Sequence, residues 1–172
     1  DTEELAKAQV RDAAVEVMKS SVLADRNHPS VLLWSIGNEL SSRPGPSQAA
    51  YIKRAAETAK ALDPTRPVGI AFAAAPGVGC QAEYAPLGVI GINDYFGWYP
   101  GPNGSIADRD LLSEYLDTVR SCYPDKALMI SEFGAEANRD GPIEERGTYQ
   151  FQQDFIRFHM GVYATKPWLS GS

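Results

Sequence analysis

The feature that most constrains this chain is a set of short, uninterrupted apolar runs separated by longer stretches of helical periodicity. Val31, Leu32, Leu33, Trp34 and Ile36 form the first run, and Val68, Ile70, Ala71 and Phe72 the second. Val89, Ile90 and Ile92 make a third, and Ala127, Leu128, Met129 and Ile130 a fourth. A strand with one wet face alternates apolar and polar residues. Runs without that alternation are buried on both faces, as in a parallel sheet covered by helices. The intervening segments supply those helices. Residues 3–23 carry Leu5, Val10, Ala14, Val17, Met18 and Val22 near helical spacing, with no Gly or Pro. Ser47 is expected to cap a second helix carrying Ile52, Ala55, Ala56, Ala59 and Leu62, which Asp63-Pro64 ends. Leu111, Leu112, Tyr115, Leu116 and Val119 mark a third helical face, and residues 149–163 an aromatic fourth. Trp168-Leu169-Ser170-Gly171 opens a further strand.

Such alternation fits a doubly wound sheet or a (β/α)8 barrel. The polar residues decide between them. The runs end in Gly37-Asn38-Glu39, Asn93-Asp94-Tyr95 and Ser131-Glu132. A barrel builds its site from the C-terminal ends of several different strands. No Gly-rich phosphate turn follows any of the runs, which weakens a nucleotide-binding sheet. The expected fold class is therefore α/β, a TIM (β/α)8 barrel, forming one domain over residues 1–172. A whole barrel takes about 250 residues, so four strands and the start of another make a partial barrel.

Composition removes other classes of function. The chain has 172 residues, 44% hydrophobic and 22% charged, the profile of an ordinary globular domain. Its net charge of −6, with no run of Lys or Arg, argues against a nucleic-acid partner. No apolar stretch approaches the roughly 20 residues that span a bilayer, so no membrane segment is expected. Two histidines and two cysteines without paired spacing predict no metal site, and no cofactor is implied. Cys80 and Cys122 are expected as free thiols or a single bridge. The chain opens inside a helical pattern, which suggests a missing N-terminus and leaves the compartment undecided between cytoplasmic and secreted.

Glu39 and Glu132 each follow a buried run directly, where an acid is costly unless paired or used. An acid near a helix start is ordinary for one of them. Two at matching strand ends point to chemistry. Glycosidic bond cleavage needs such a pair: one carboxyl protonates the leaving oxygen and the other attacks or activates water.

Around these residues the sequence resembles glycoside hydrolase family 2. The stretch Asp25-Arg26-Asn27-His28-Pro29-Ser30-Val31-Leu32-Leu33-Trp34-Ser35-Ile36-Gly37-Asn38-Glu39 is similar to the acid/base signature of that family. Ile130-Ser131-Glu132-Phe133-Gly134-Ala135 is similar to its nucleophile segment. The resemblance covers essentially the whole chain. It implies a piece of the catalytic barrel running from the helix before strand four to the opening of strand eight, with Glu39 as acid/base and Glu132 as nucleophile. It also implies that Asn38 binds the sugar 2-hydroxyl. Asn93-Asp94-Tyr95-Phe96-Gly97-Trp98-Tyr99 is closest to the β-glucuronidase version of strand six. By that likeness Tyr95 touches the nucleophile, and Asn93 and Tyr99 line the sugar pocket. The implied reaction is hydrolysis of terminal β-glycosidic bonds with retention, on a β-glucuronide or, alternatively, a β-galactoside or related sugar. The implied partners are the β-glycoside, further domains of the same chain and, as an option, a second copy in a homo-oligomer.

Four other residues belong outside the chemistry. His28 lies at the start of a strand and is expected to bond turn backbone. His159 is expected to pack or face solvent on its helix, and Glu136 to serve a loop or helix start. Asp94 should point away from the side its neighbours Asn93 and Tyr95 face. Two alternatives stand beside the main reading: an inactive sugar-binding module, and a barrel hydrolase of another carbohydrate family such as an endo-glucanase.

Overall fold

The computed structural model describes residues 2–99 and 108–172. Four strands, β1 (Trp34–Asn38), β2 (Val68–Ala73), β3 (Val89–Asp94) and β4 (Ala127–Phe133), form one parallel sheet in the order β1-β2-β3-β4. Helices α1 (Ala8–Asp25), α2 (Pro46–Leu62), α3 (Leu112–Cys122) and α4 (Tyr149–Ala164) alternate with them except between β2 and β3, where a 3-10 turn (Ala82–Tyr84) takes the place of a helix. Strand order that follows chain order, with no reversal among the described strands, is the arrangement of a barrel arc; a doubly wound sheet reverses at a switch point. The run at residues 168–171 continues that order. Leu169 bridges Leu128 in parallel, Ser170 N–H donates to the Leu128 carbonyl at 2.7 Å, and Ile130 N–H to that of Gly171 at 3.0 Å.

The core lies between sheet and helices. Trp34, Ile36, Val68, Ile70, Ile90, Ile92, Leu128 and Ile130 meet Val22, Ile52, Ala55, Ala59, Leu112, Leu116 and Tyr163. On the opposite face the central strands carry Gly69, Ala71 and Gly91. A Cβ on Gly91 would stand 2.5 Å from Ser131 Oγ, so only glycine lets that serine lie across the inner face.

Element starts differ in detail from expectation. The first helix is divided: a 3-10 turn spans Thr2–Ala6, and α1 begins at Ala8. The second begins at Pro46 with Gly45 as its cap, because proline suits a first turn whose N–H groups are unpaired anyway. Ladder pairing begins only at Trp34, and Leu32 before it is 79% exposed.

The residues leading into β1 are held from the turn between α2 and β2. Arg66 donates to the carbonyls of Val31, Arg26 and His28, and pairs with Asp63 at 2.7 Å. Asp63 also accepts from the Trp34 indole at 3.0 Å and from Thr65. His28 thus contributes its carbonyl to the turn, while its ring is exposed beside Asp25. Cys80 and Cys122 form a disulfide tying the segment after β2 to the end of α3.

Candidate active site

Both glutamates reach the C-terminal rim by the same local device. Between Ser35 and Asn38 on β1 the register against β2 slips, and on β4 a residue is inserted where Ile92 and Asn93 pair with Ile130 and Glu132. A bulge re-aims the side chain that follows it. Glu39 leaves its bulge with φ at +46°, the only positive φ outside glycine among the described residues. Its N–H is anchored to the Ala71 carbonyl at 2.9 Å.

Asn93, fully buried at the end of β3, joins the two sides. Its Nδ2 donates to Glu39 Oε1 at 2.9 Å and to Asn38 Oδ1 at 3.0 Å. Its Oδ1 accepts from Ser131 Oγ at 2.6 Å. On the far side the Tyr95 hydroxyl donates to Glu132 Oε2 at 2.9 Å. Burial, reinforced by that bond and by the charges of Glu132 and Glu39, pushes the Tyr95 hydroxyl up to about 12. Tyr95 therefore remains a proton donor to Glu132 at any ordinary pH. Tyr99 stands edge-on to Tyr95 with ring centres 5.1 Å apart.

Glu39, Glu132, Asn93, Tyr95 and Tyr99 all line one cleft of about 760 Å³. That volume suits a small ligand. Asn38 meets Asn93 but lines a neighbouring apolar groove along β1, with Val17, Met18, Trp34, Ile36 and Tyr51. Glu136 is exposed in the loop beyond β4, and Asp94 points to the helix side, where Tyr163 donates to it. His159 is fully buried on α4.

Sequence reasoning passed over Ser131, Ser42 and Arg43, and the wall made by residues 73–76 and Val78. Ser131 had a signal, since it directly precedes Glu132 in a strand. The wall had none, being Ala, Pro and Val outside any motif. Among the described residues no group of three or more His, Cys, Asp or Glu is arranged to hold a metal.

Residues 2–161 match the family model described as "Glycosyl hydrolases family 2, TIM barrel domain". The chain belongs to that family. It is 29% identical to a beta-glucuronidase of Paenibacillus borealis over 150 residues, which is 84% of this chain and 24% of that one. It is 36% identical to the beta-glucuronidase of Mus musculus over 124 residues, 72% of this chain and 18% of the relative. The chain thus spans about a quarter or less of these relatives. The crystallised b-glucuronidase of Ruminococcus gnavus, bound to uronic deoxynojirimycin, superposes on 98% of this chain and 30% of its own with a TM-score of 0.81. At 21% identity that likeness speaks for the fold, a portion of a (β/α)8 barrel.

Proposed function

We propose that this chain carries the two catalytic carboxylates of a retaining β-glycosidase that acts on β-glucuronides. The observation that carries the reading is the placing of Glu39 and Glu132 on one cleft, each at the end of a bulged parallel strand and each held by a hydrogen bond from β3 or the residue after it. In the first step Glu132 attacks the anomeric carbon while Glu39 gives its proton to the departing oxygen, leaving a covalent glycosyl-enzyme. In the second, Glu39 takes a proton from water, which displaces Glu132 and restores the configuration. Tyr95 donates to Glu132 and fixes which oxygen is free to attack. Asn38, which adjoins the cleft through its bond to Asn93, is assigned the sugar 2-hydroxyl, a contact that strengthens as positive charge develops on the ring. Tyr99 supplies an aromatic wall for the sugar. A glucuronide is favoured over a galactoside because the relatives reported above are beta-glucuronidases.

The test uses the complete polypeptide that carries this chain. Glu132→Ala should form no covalent intermediate, and azide should rescue it to the α-azide. Glu39→Ala should lose most rate on substrates with poor leaving groups, and azide should rescue it to the β-azide. Identical anomers from both variants would overturn the assignment of roles. Complete absence of β-glucuronide hydrolysis by the wild type would overturn the substrate.

A further inference from the structure

Behind the cleft, on the helix side of β3, lies a group of polar residues that the proposed reaction does not use. Asp94 and His159 are both fully buried, and Tyr163 is 5% exposed. Asp94 Oδ1 accepts from the Phe96 N–H at 3.0 Å, and Oδ2 accepts from the Tyr163 hydroxyl at 2.6 Å. His159 Nδ1 lies 2.8 Å from the Phe155 carbonyl, which can only accept, so Nδ1 carries a hydrogen. In a neutral ring that leaves Nε2 as a bare lone pair. Nε2 is buried without a hydrogen-bond partner and sits 3.6 Å from Asp94 Oδ2. A lone pair facing a carboxylate in a dry interior is unfavourable, and a single proton between them removes the conflict. Burial is the largest influence on both groups, pushing Asp94 up and His159 down, each toward its neutral form.

The same helix also touches the strand that bears Glu132. Phe133, the next residue, packs edge-on against Tyr163 at 5.3 Å and lies nearly parallel to the His159 ring at 6.2 Å. Asp94 is next to Tyr95 in the chain, and Phe133 is next to Glu132. Two residues of α4 therefore back both partners of the Tyr95–Glu132 hydrogen bond from the outside of the sheet.

We propose that Asp94, Tyr163 and His159 are positioning residues, which fix the ends of β3 and β4 so that Tyr95 and Asn93 hold the two glutamates in register. The claim rests on the reaction proposed above. None of the three reaches the cleft, so their effect falls on the alignment of groups that act in the transition state. Misplacement of a reacting group by about 1 Å costs on the order of 10²-fold in rate.

Tyr163→Phe, which keeps the ring on Phe133 and removes only the hydroxyl, and Asp94→Ala are compared with wild type in the complete polypeptide. The substrate is an aryl β-glucuronide, and competent sites are counted by a covalent glycosidase inactivator. Per competent site, kcat should fall about tenfold in Tyr163→Phe and about 100-fold in Asp94→Ala, with KM within threefold. Asp94→Asn, which retains an acceptor for the Phe96 N–H and can donate to Nε2, should recover part of the loss. Full kcat per competent site in both variants, even with fewer folded molecules, would reduce the cluster to a structural role and overturn the proposal. An active wild type with variants within twofold overturns this proposal alone, whereas an inactive wild type overturns the reaction and this proposal together.

Discussion

Tyr95 turns an adjacency in sequence into a constraint on chemistry. A phenol that stays protonated up to about pH 12 can only donate to Glu132, and it removes one carboxylate oxygen from competition. A hydrogen bond to a charged group is worth about 1.5–3 kcal/mol. Tyr95→Phe should therefore lower kcat on an aryl β-glucuronide by about tenfold or more while KM moves little, in steady-state kinetics of the complete polypeptide. The alkaline limb of the pH profile should survive the substitution, because the phenol does not ionise there. A kcat equal to wild type would remove the hydroxyl from the mechanism. Tyr95 was legible beforehand through the likeness of residues 93–99 to the β-glucuronidase version of strand six, helped by their place after a strand. Ser131 was passed over because a serine after four apolar residues reads as the close of a strand, and its bond to Asn93 depends on a bulge that no periodicity reveals.

At the scale of elements, the signature preceding Glu39 divides into two parts with different physical duties. Residues 34–39 place the acid on the rim. Residues 26–31 are gripped at the opposite end of the sheet by Arg66, while Asp63 holds Trp34. Hydrogen bonds from Thr65 and Arg66 hold the Asp63 carboxyl well below the usual carboxylate range. A folded pKa below the unfolded value of about 3.9 contributes stability above that value and loses it as pH falls through the folded one. Thermal unfolding of Asp63→Asn should thus show a lower Tm than wild type at pH 7, with the gap narrowing below about pH 4. A gap independent of pH would show that the carboxylate charge is not what holds this corner. The four helices and four strands were readable because doubly buried runs and helical faces have distinct periods. Their starts were not, since Pro46 in place of Ser47 and Trp34 in place of Val31 depend on capping and pairing rather than on period.

For the molecule as a whole, four parallel strands make the arc of a partial barrel. Beside β1 an apolar groove runs along α1, and Val17 is 68% exposed there. A closed barrel satisfies every strand edge; an arc leaves backbone donors and acceptors along β1 unpaired. The 172-residue chain by itself should accordingly show negligible hydrolysis of aryl β-glucuronides and β-galactosides, and should self-associate in light scattering. Turnover typical of intact glycosidases from a monodisperse preparation of this chain would contradict that expectation. The partial barrel was visible in the sequence as a count of runs. The orientation of its groove was not, because exposure of Val17 depends on which strand lies at the edge.

The left-handed backbone at Glu39 sets two kinds of fitness against each other. Holding a side chain in that region costs about 1–3 kcal/mol, and glycine would escape most of the cost. The residue that best relaxes the chain at position 39 is thus one that carries no proton to give. Under the reaction proposed above, selection for durability alone would erase the acid, and selection on turnover keeps it.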